Sequence, residues 1–277
     1  MKNKNNSKQN FYPACLTIGG SDSRGGAGIQ ADLRTFNAFA VYGCSAITGV
    51  NIYDGRKNAA TQAIDCDVVA SEIDAILSEI PIKFAKSGAL INPDTIKIVA
   101  EKIEKYQINL IAELNLNAGN NAMVIEAMKK YLLPKAKVIT GNIMETELLL
   151  GEKISSEKDL INAARKLAKI YKADVILKNN SFQNKNEVAD IVVLEGEVYR
   201  LKSPYLKNCH HLHGADCTFS AALCANLALG TPLDDSILEA KTFVFGSLAE
   251  PVRIGNNCEV MYPPELDYSE HISLIGI

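Results

Sequence analysis

Short apolar runs alternate with helical patterns along most of the chain, and this alternation restricts the fold more than any other feature. The run at 175–178 has the length of one buried strand, whereas residues 68–80 carry apolar side chains at the spacing of a helix face. Repeated strand–helix units of this kind predict a mainly parallel sheet with helices on both faces. We therefore expect an α/β fold.

The predicted elements can be placed along the sequence. We expect strands at 15–18, 45–50, 83–86, 109–112, 137–140 and 175–178, and a hairpin of 191–194 and 198–201. Helices are expected at 28–39, 68–80, 93–106, 122–132, 217–229 and 234–250, with two more beginning after 142 and after 156. No linker, low-complexity tract or repeat divides the chain. We expect one domain over 13–277, preceded by a disordered polar tail over 1–12.

Charge and composition exclude several classes of function. A formal net charge of −3 gives no electrostatic reason to expect binding to nucleic acid or to an anionic membrane. No stretch approaches the roughly 18–20 apolar residues of a membrane helix, and the polar N-terminus does not resemble a signal peptide. Seven cysteines without a Cys-x-x-Cys pair predict reduced thiols and a cytoplasmic protein.

The run His-Gly-Ala-Asp-Cys-Thr-Phe-Ser at 213–220 carries the first functional signal. Small residues lead through Cys217 into an apolar segment that we expect to be helical. Backbone N–H groups at a helix N-terminus attract an anion such as a phosphate. The same dipole is expected to lower the pKa of Cys217, which makes its thiol a candidate base or nucleophile. A helix that begins at a glycine turn with a buried cysteine is the open alternative.

A second signal is the glycine-rich segment that follows the first predicted strand. Residues 19–28 contain five glycines, which allow the backbone to approach a ligand closely and to adopt positive φ angles. Ligands in open α/β sheets bind beyond the carboxyl ends of the strands. A flexible loop is the alternative, but the ordered continuation into a helix at 28–39 favours a functional loop.

These two segments and the run Tyr-Gly-Cys-Ser-Ala-Ile-Thr at 42–48 together carry a family resemblance. On these residues the chain resembles the hydroxymethylpyrimidine/phosphomethylpyrimidine kinases of the ribokinase-like superfamily, which also contains the pyridoxal kinases. The resemblance covers residues 14–250. It implies a ribokinase-like three-layer sandwich, a homodimer, and phosphorylation of hydroxymethylpyrimidine or its monophosphate with ATP and Mg²⁺, in thiamine biosynthesis.

The resemblance also implies roles for residues at the reacting end of the site. Gly214, Ala215 and Cys217 fall in an anion hole, whose N–H groups would stabilise the transferring phosphoryl group. Cys217 matches the residue that activates the substrate hydroxyl. The chain departs from the family's motif at the position before Cys217, because Asp216 stands where the family has glycine. A carboxylate in an anion hole repels a phosphate unless it points away.

On the cofactor side, Asn142 and Glu145 match an Asn-x-x-Glu element that is linked to Mg²⁺ through ordered water. A capping box, in which the same two residues only begin a helix, is the alternative for this pair. Lys178 matches a lysine near the nucleotide phosphates. Glu113 is assigned to the cofactor side as well, and it replaces a family aspartate.

The resemblance places Gly20, Asp32, Tyr53 and Ala89 at the substrate ring. The Asp32 carboxylate would accept a hydrogen bond from an exocyclic amine of the ring. Tyr53 stands where the family has glutamine and Ala89 where it has methionine, so we expect a reshaped pocket. This change leaves open a pyridoxal kinase, or a kinase of another small heteroaromatic alcohol.

Two further interpretations remain on the sequence. Asp216, Glu113 and the Asn179-Asn180 pair are compatible with a homologue that binds a small molecule and has lost phosphoryl transfer. The run from Cys209 to His213 offers sulfur and imidazole to Zn²⁺, but its adjacent histidines cannot easily converge on one ion. The zinc site is therefore the weaker interpretation of that run.

Overall fold

The computed structural model describes residues 11–53, 58–116, 122–179, 186–207, 209, 213–256 and 258–277. Its strands are β1 (Ala14–Asp22), β2 (Tyr42–Tyr53), β3 (Asn58–Ala63), β4 (Phe84–Ser87), β5 (Asn109–Glu113), β6 (Ala136–Asn142), β7 (Asp174–Lys178), β8 (Glu187–Leu194), β9 (Glu197–Pro204), β10 (Val252–Gly255), β11 (Cys258–Val260) and β12 (Ser273–Gly276). Its α-helices are α1 (Gly28–Ala38), α2 (Cys66–Glu79), α3 (Pro93–Lys105), α4 (Ala122–Ala127), α5 (Ile143–Leu150), α6 (Glu157–Tyr171), α7 (Ala215–Leu229) and α8 (Leu233–Ala249).

One sheet of ten strands runs through the molecule in the order β12-β9-β8-β7-β6-β5-β4-β1-β2-β3. Its six central strands, from β7 to β2, are parallel to one another. The antiparallel strands lie at its margins, with β3 at one edge and β8, β9 and β12 at the other. The predicted mainly parallel sheet is confirmed.

Helices cover both faces of the sheet because alternate side chains of the central strands are apolar. In β5, Leu110 and Ala112 pack into a core that includes residues of α2, α3, α5 and α6. Ile111 points to the other face and packs into a core with α7 and α8. The three-layer arrangement therefore follows from strands that are buried on both sides.

The helix α3 shows how local sequence sets a helix boundary. Asn92 caps its N-terminus by accepting a hydrogen bond from the Thr95 N–H at 2.9 Å, and Pro93 occupies the first turn. Ile96, Val99 and Ile103 then form a buried stripe at helical spacing. The predicted helix at 93–106 is confirmed to within one residue.

The structure corrects several predicted boundaries. β1 continues to Asp22 rather than ending at residue 18, because it pairs with β2 through the Asp22–Asn51 register. The helix expected at 122–132 becomes a π-helical turn at Met128–Leu132. The apolar pattern does not predict β3, β10, β11 or β12, which are short or polar and lie at edges or in a separate hairpin.

Two other expectations concern the whole chain. All seven cysteines are free thiols, as predicted. In the part of the chain that the structure describes, no helix has both the length and the apolar character needed to span a membrane. Residues 1–10 of the expected tail lie outside the described residues, and Phe11 and Tyr12 are exposed.

Candidate active site

Two cavities lie at the carboxyl edge of the parallel strands, where open α/β sheets bind their ligands. The first has a volume of about 380 Å³ and is lined from the ends of β1, β4 and β5 and from the starts of α1, α5 and α7. The second, of about 350 Å³, lies among β7, β8, β9, α7 and α8. Asp216, in the first turn of α7, lines both cavities.

The glycine-rich loop at 23–27 is organised by the carboxylate of Asp22. The N–H groups of Arg24 and Ala27 each donate to this carboxylate at 2.9 Å. His213 Nε2 lies 3.0 Å from Asp22 Oδ2. Burial opposes ionisation, but the contact with His213 and the two backbone hydrogen bonds lower the pKa of Asp22 overall. The ionised carboxylate of Asp22 therefore gives the loop a defined conformation.

This loop also packs directly against the start of α7. Gly214 caps α7 at a left-handed φ of 89°, and a Cβ atom at this position would overlap the carbonyl oxygen of Gly26. Gly28 likewise has a positive φ of 57°, with the carbonyl of Gly20 in the space that its Cβ would need. Two of the glycines are thus required by a close approach between backbones.

The residues predicted for the anion hole come together in the first turn of α7. The first helical hydrogen bond runs from the Thr218 N–H to the Gly214 carbonyl at 2.8 Å. The N–H groups of Ala215, Asp216 and Cys217 therefore belong to the turn that lacks partners within its own helix. Ala215 lines the second cavity, Cys217 the first and Asp216 both, so this turn lies at the junction of the cavities, where a helix N-terminus favours negative charge.

The Asp216 carboxylate does not point away from this junction. Its Oδ1 lies 2.7 Å from Lys178 Nζ, and Asn142 Nδ2 donates to its Oδ2 at 3.4 Å. Burial alone would lower the pKa of Lys178, but the Asp216 and Glu113 carboxylates raise it, so Lys178 remains an ammonium. The extra carboxylate is therefore neutralised by the lysine predicted to bind nucleotide phosphates.

The expected low pKa of the Cys217 thiol is wrong. The side chain is buried, and its thiol donates to Glu113 Oε1 at 3.5 Å. Desolvation and the Glu113 charge raise the pKa of Cys217 well above its usual value, and they outweigh Lys86 and a hydrogen bond from the Gly28 N–H. The sulfur is therefore a protonated thiol, even though it sits at a helix N-terminus.

A buried cluster of charges forms the floor of the first cavity. Lys86 Nζ lies 3.0 Å from Asp32 Oδ1 and 2.9 Å from Glu113 Oε2. Burial raises the pKa of Asp32 to about 6, whereas the Lys86 and Lys178 ammonium groups overcome burial and lower the pKa of Glu113 to about 2. Because two carboxylates share Lys86, one of them takes up a proton much earlier than the other.

Three of the four residues predicted to bind the substrate lie at the first cavity. Gly20, Asp32 and Ala89 all line it. The Asp32 Oδ2 already accepts a hydrogen bond from Thr17 Oγ1 at 2.6 Å, so both carboxylate oxygens have protein partners. The side chain of Tyr53 lies outside the described part of the structure.

Asn142 and Glu145 form the capping box that the sequence left as an alternative. Asn142 Oδ1 accepts from the Glu145 N–H, and Glu145 Oε2 accepts from the Asn142 N–H, both at 3.0 Å. Glu145 also lines the first cavity. Burial raises its pKa to about 7, with Asp216 and Glu113 adding to the effect against Lys178. The pair therefore begins α5 and also presents a carboxyl group to the site.

The second cavity has an apolar character with charges at its margins. Phe219, Val244 and Phe245 contribute apolar lining, and Lys178 closes the end nearest Asp216. A wall is formed by Asp190, whose Oδ2 lies 2.7 Å from Lys241 Nζ. The sequence singles out Lys178 at one end of this cavity but not its apolar lining, because those side chains belong to ordinary helix faces.

Other residues that sequence reasoning missed are Asp22 and Lys86. Lys86 could have been singled out as a charge inside a predicted parallel strand, where burial demands a partner. Of the proposed zinc cluster, Cys209 lines the second cavity and His213 pairs with Asp22. His210 and His211 lie outside the described residues.

Comparisons of sequence identify relatives of this chain. The family model for phosphomethylpyrimidine kinase matches residues 22–261. The hydroxymethylpyrimidine/phosphomethylpyrimidine kinase of Haemophilus influenzae is 36% identical over 249 residues, which are 87% of this chain and 92% of that protein. The thiamine biosynthesis bifunctional protein ThiED of Geobacter sulfurreducens is 33% identical over 87% of this chain, and the match spans 50% of that longer protein.

Solved structures agree with the sequence relatives. The pyridoxal kinase of Staphylococcus aureus in complex with pyridoxal superposes with a TM-score of 0.87 at 28% identity, covering 97% of this chain and 100% of that chain. The same enzyme is known in complex with AMP-PCP. The phosphomethylpyrimidine kinase of Clostridium difficile superposes with a TM-score of 0.73 at 29% identity, covering 84% and 99%. The chain belongs to the phosphomethylpyrimidine kinase family and is a phosphotransferase.

Proposed function

We propose that the chain transfers the γ-phosphoryl group of ATP to the hydroxymethyl group of hydroxymethylpyrimidine or its monophosphate, as a kinase of thiamine biosynthesis. The observation that carries this proposal is the position of the α7 N-terminus between two cavities. The polar cavity suits a hydrogen-bonding ring, and the apolar cavity suits a nucleobase. A helix N-terminus between them can stabilise a phosphoryl group in transfer.

The nucleotide would bind across the second cavity. The side chains of Phe219 and Val244 suit a flat base, and the Lys178 ammonium at the inner end suits the phosphates. The AMP-PCP complex of the S. aureus relative supports ATP as the phosphoryl donor. On this assignment the triphosphate extends from the second cavity past Asp216 toward the first cavity.

Mg²⁺ fits the oxygen donors at the junction. Glu145 and Asp216 both present carboxyl groups to the first cavity, and Mg²⁺ prefers oxygen ligands while keeping several of its waters. Glu145 and Asn142 would hold the ion through water, as the family resemblance implies. When bound, the ion supplies positive charge that offsets the charge of the nucleotide phosphates.

The protein's own groups move the hydroxyl proton. The acceptor oxygen attacks the γ-phosphorus, the bond from phosphorus to the bridging oxygen breaks, and ADP leaves with the electron pair. Because Cys217 is a protonated thiol, its sulfur accepts the hydroxyl proton while the thiol proton passes to Glu113 Oε1, 3.5 Å away. The N–H groups of Ala215 and Asp216 hold the charge on the transferring group.

The acceptor ring would lie over Gly20 and Ala89, next to the buried Asp32. Asn51, on β2, also lines this cavity and offers an amide for a ring nitrogen or an exocyclic amine. The family resemblance would add Tyr53 to this ring contact.

Pyridoxal is the second candidate acceptor. The similarity to the S. aureus pyridoxal kinase extends over more of this chain than the similarity to the C. difficile enzyme. Pyridoxal and hydroxymethylpyrimidine both carry a hydroxymethyl group on a nitrogen heteroaromatic ring, so the same transfer step serves either compound.

A coupled ADP-release assay with Mg²⁺ tests the proposal, with hydroxymethylpyrimidine and pyridoxal offered separately and Cys217→Ala as the comparison. We expect turnover on the pyrimidine and a loss of at least about 100-fold in the variant. Turnover on pyridoxal alone would reassign the acceptor. No turnover on either by folded protein would identify a binding homologue without phosphoryl transfer.

We further propose a cytoplasmic homodimer, in which β2 and β3 pack against a second copy. Val50 and Ile52 on β2 are exposed, whereas Asn51 between them faces the first cavity. Free thiols at all seven cysteines support a reducing compartment. Sedimentation of the purified protein as a monomer at micromolar concentration would contradict the dimer.

A further inference from the structure

Asp216 occupies the one position at which both cavities meet among the lining residues that the structure describes. Its side chain is about one-third exposed, so it is accessible from the cavities. The ion pair with Lys178 at 2.7 Å and the contact with Asn142 at 3.4 Å hold the carboxylate at this junction. Any group that reacts between the cavities must therefore pass next to a fixed negative charge.

The first cavity has few positive charges to offer an anion. Five carboxyl groups line it, and among its described lining residues Lys86 is the only lysine or arginine. Lys86 lies within 3.0 Å of both Asp32 and Glu113, and His213 is paired with Asp22. The lysine on this side of the junction is therefore already matched by carboxylates, and the imidazole of His213 already has a carboxylate partner.

Lys178 cannot compensate for this imbalance. It is the ammonium nearest to Asp216, and the nucleotide phosphates need it as well. If Lys178 turns to a phosphate, Asp216 loses its counter-charge and then repels the same phosphate. Lys178 and the Mg²⁺ of the proposed nucleotide complex would then both be engaged with the phosphates of ATP, which leaves Asp216 without a counter-charge toward a phosphate on the acceptor.

An acceptor that already carries a phosphate would require further positive charge at the junction. In such a transfer, a phosphate oxygen of the acceptor attacks the γ-phosphorus, the bond to the bridging oxygen breaks, and ADP leaves. Two phosphate groups would then lie beside Asp216 at once. In the transfer to a free hydroxymethyl group, the acceptor brings no charge.

We propose that Asp216 restricts the site to acceptors whose hydroxymethyl group is not phosphorylated, so that the chain adds one phosphate and releases the monoester. This inference rests on the proposed kinase function and narrows its substrate class to the neutral alcohol. The monoester is then consumed by a separate phosphotransferase.

The test compares hydroxymethylpyrimidine with its monophosphate as ligands and as acceptors. Calorimetry measures binding of each to wild type, Asp216→Asn and Asp216→Gly, and ADP release measures kcat/KM. We expect wild type to prefer the alcohol by at least about tenfold in both measurements. Both variants should reduce that ratio at least about tenfold, because both remove the negative charge. Asp216→Asn does so while keeping the shape of the side chain.

Asp235→Asn is the matched control, since it removes an exposed aspartate from the first turn of a different helix, α8. It should leave the ratio unchanged. Equal binding of the alcohol and the monophosphate by wild type would overturn the inference, and so would a ratio that neither Asp216 variant changes. Absence of ADP release with any acceptor would instead count against the kinase function, while the binding ratio still decides the role of Asp216.

Discussion

Glu113 connects the buried charges of the first cavity to the reacting end of the site. Its Oε2 accepts from Lys86 at 2.9 Å and from Ser220 at 2.8 Å. Its Oε1 accepts from Asn115 at 3.0 Å and from the Cys217 thiol at 3.5 Å. A carboxylate held by four donors is kept ionised, and it stands where a proton leaving the thiol would go.

Replacing this carboxylate tests the proton path. In Glu113→Gln the amide still accepts hydrogen bonds from Lys86 and Ser220, but it cannot take the thiol proton. We expect kcat to fall at least about 100-fold while the KM for ATP changes by less than about threefold, measured by ADP release. Glu113→Asp restores the family's residue and should retain most of the activity. A Gln variant with the wild-type kcat would show that the proton leaves by another route.

Asp32 makes the stability of the fold depend on pH. Burial raises its pKa to about 6, above the value of about 3.9 in an unfolded chain. A carboxyl group with a raised folded pKa stabilises the fold while it is protonated. Its contribution is therefore complete below about pH 4 and is lost as the pH rises through about 6.

The variant Asp32→Asn removes this titration, because its amide stays neutral and Lys86 keeps Glu113 as a partner. We expect its free energy of unfolding to exceed that of wild type by up to about 3 kcal/mol above pH 7, with the difference disappearing near pH 4. Urea titrations across this range measure it. A difference that does not vary with pH would contradict the assignment.

At the scale of elements, the contact between the glycine-rich loop and α7 depends on Gly214. Its φ of 89° matches that of Gly230, at 90°, which ends the same helix. A Cβ at Gly230 would meet open space, whereas a Cβ at Gly214 would overlap the Gly26 carbonyl. The two positions share a backbone conformation that would strain an alanine, and they differ in the close approach.

This pair gives a matched experiment. Gly230→Ala should cost only the strain of a left-handed alanine, about 1 kcal/mol of unfolding free energy. Gly214→Ala should cost at least about 2 kcal/mol more and abolish ADP release, because the loop must withdraw from α7. Equal losses of stability in the two variants would show that the loop does not need this contact.

Elements with strong local signals were predictable from the sequence, and those that depend on distant partners were not. The capping box of Asn142 and Glu145 and the buried stripe of α3 each depend on residues that lie within a few positions of one another in the sequence. The edge strand β3 has a polar sequence and exists because β2 pairs with it. Likewise, the raised pKa of Cys217 comes from burial and from the charge of Glu113, 104 positions away, and a helix-dipole argument includes neither.

At the scale of the molecule, the sheet brings two chemically different cavities to one edge and separates them by the α7 N-terminus. Asp216 is the shared wall, so a ligand in one cavity has little direct contact with the lining of the other. Acceptor and nucleotide should therefore stabilise the fold as separate ligands. Each ligand would stabilise by about 2.7 kcal/mol when present at 100 times its Kd.

Val188 allows this separation to be tested. It is half-buried on β8 and lines the second cavity, away from the first. Val188→Glu places a carboxylate where the nucleobase would bind, so AMP-PCP with Mg²⁺ should no longer raise the melting temperature. Hydroxymethylpyrimidine alone should still raise it, because the first cavity is unchanged. Full protection of the variant by AMP-PCP would exclude the second cavity as the nucleotide site. Loss of both effects would mean that the two cavities respond as one unit, with Asp216 transmitting the change between them.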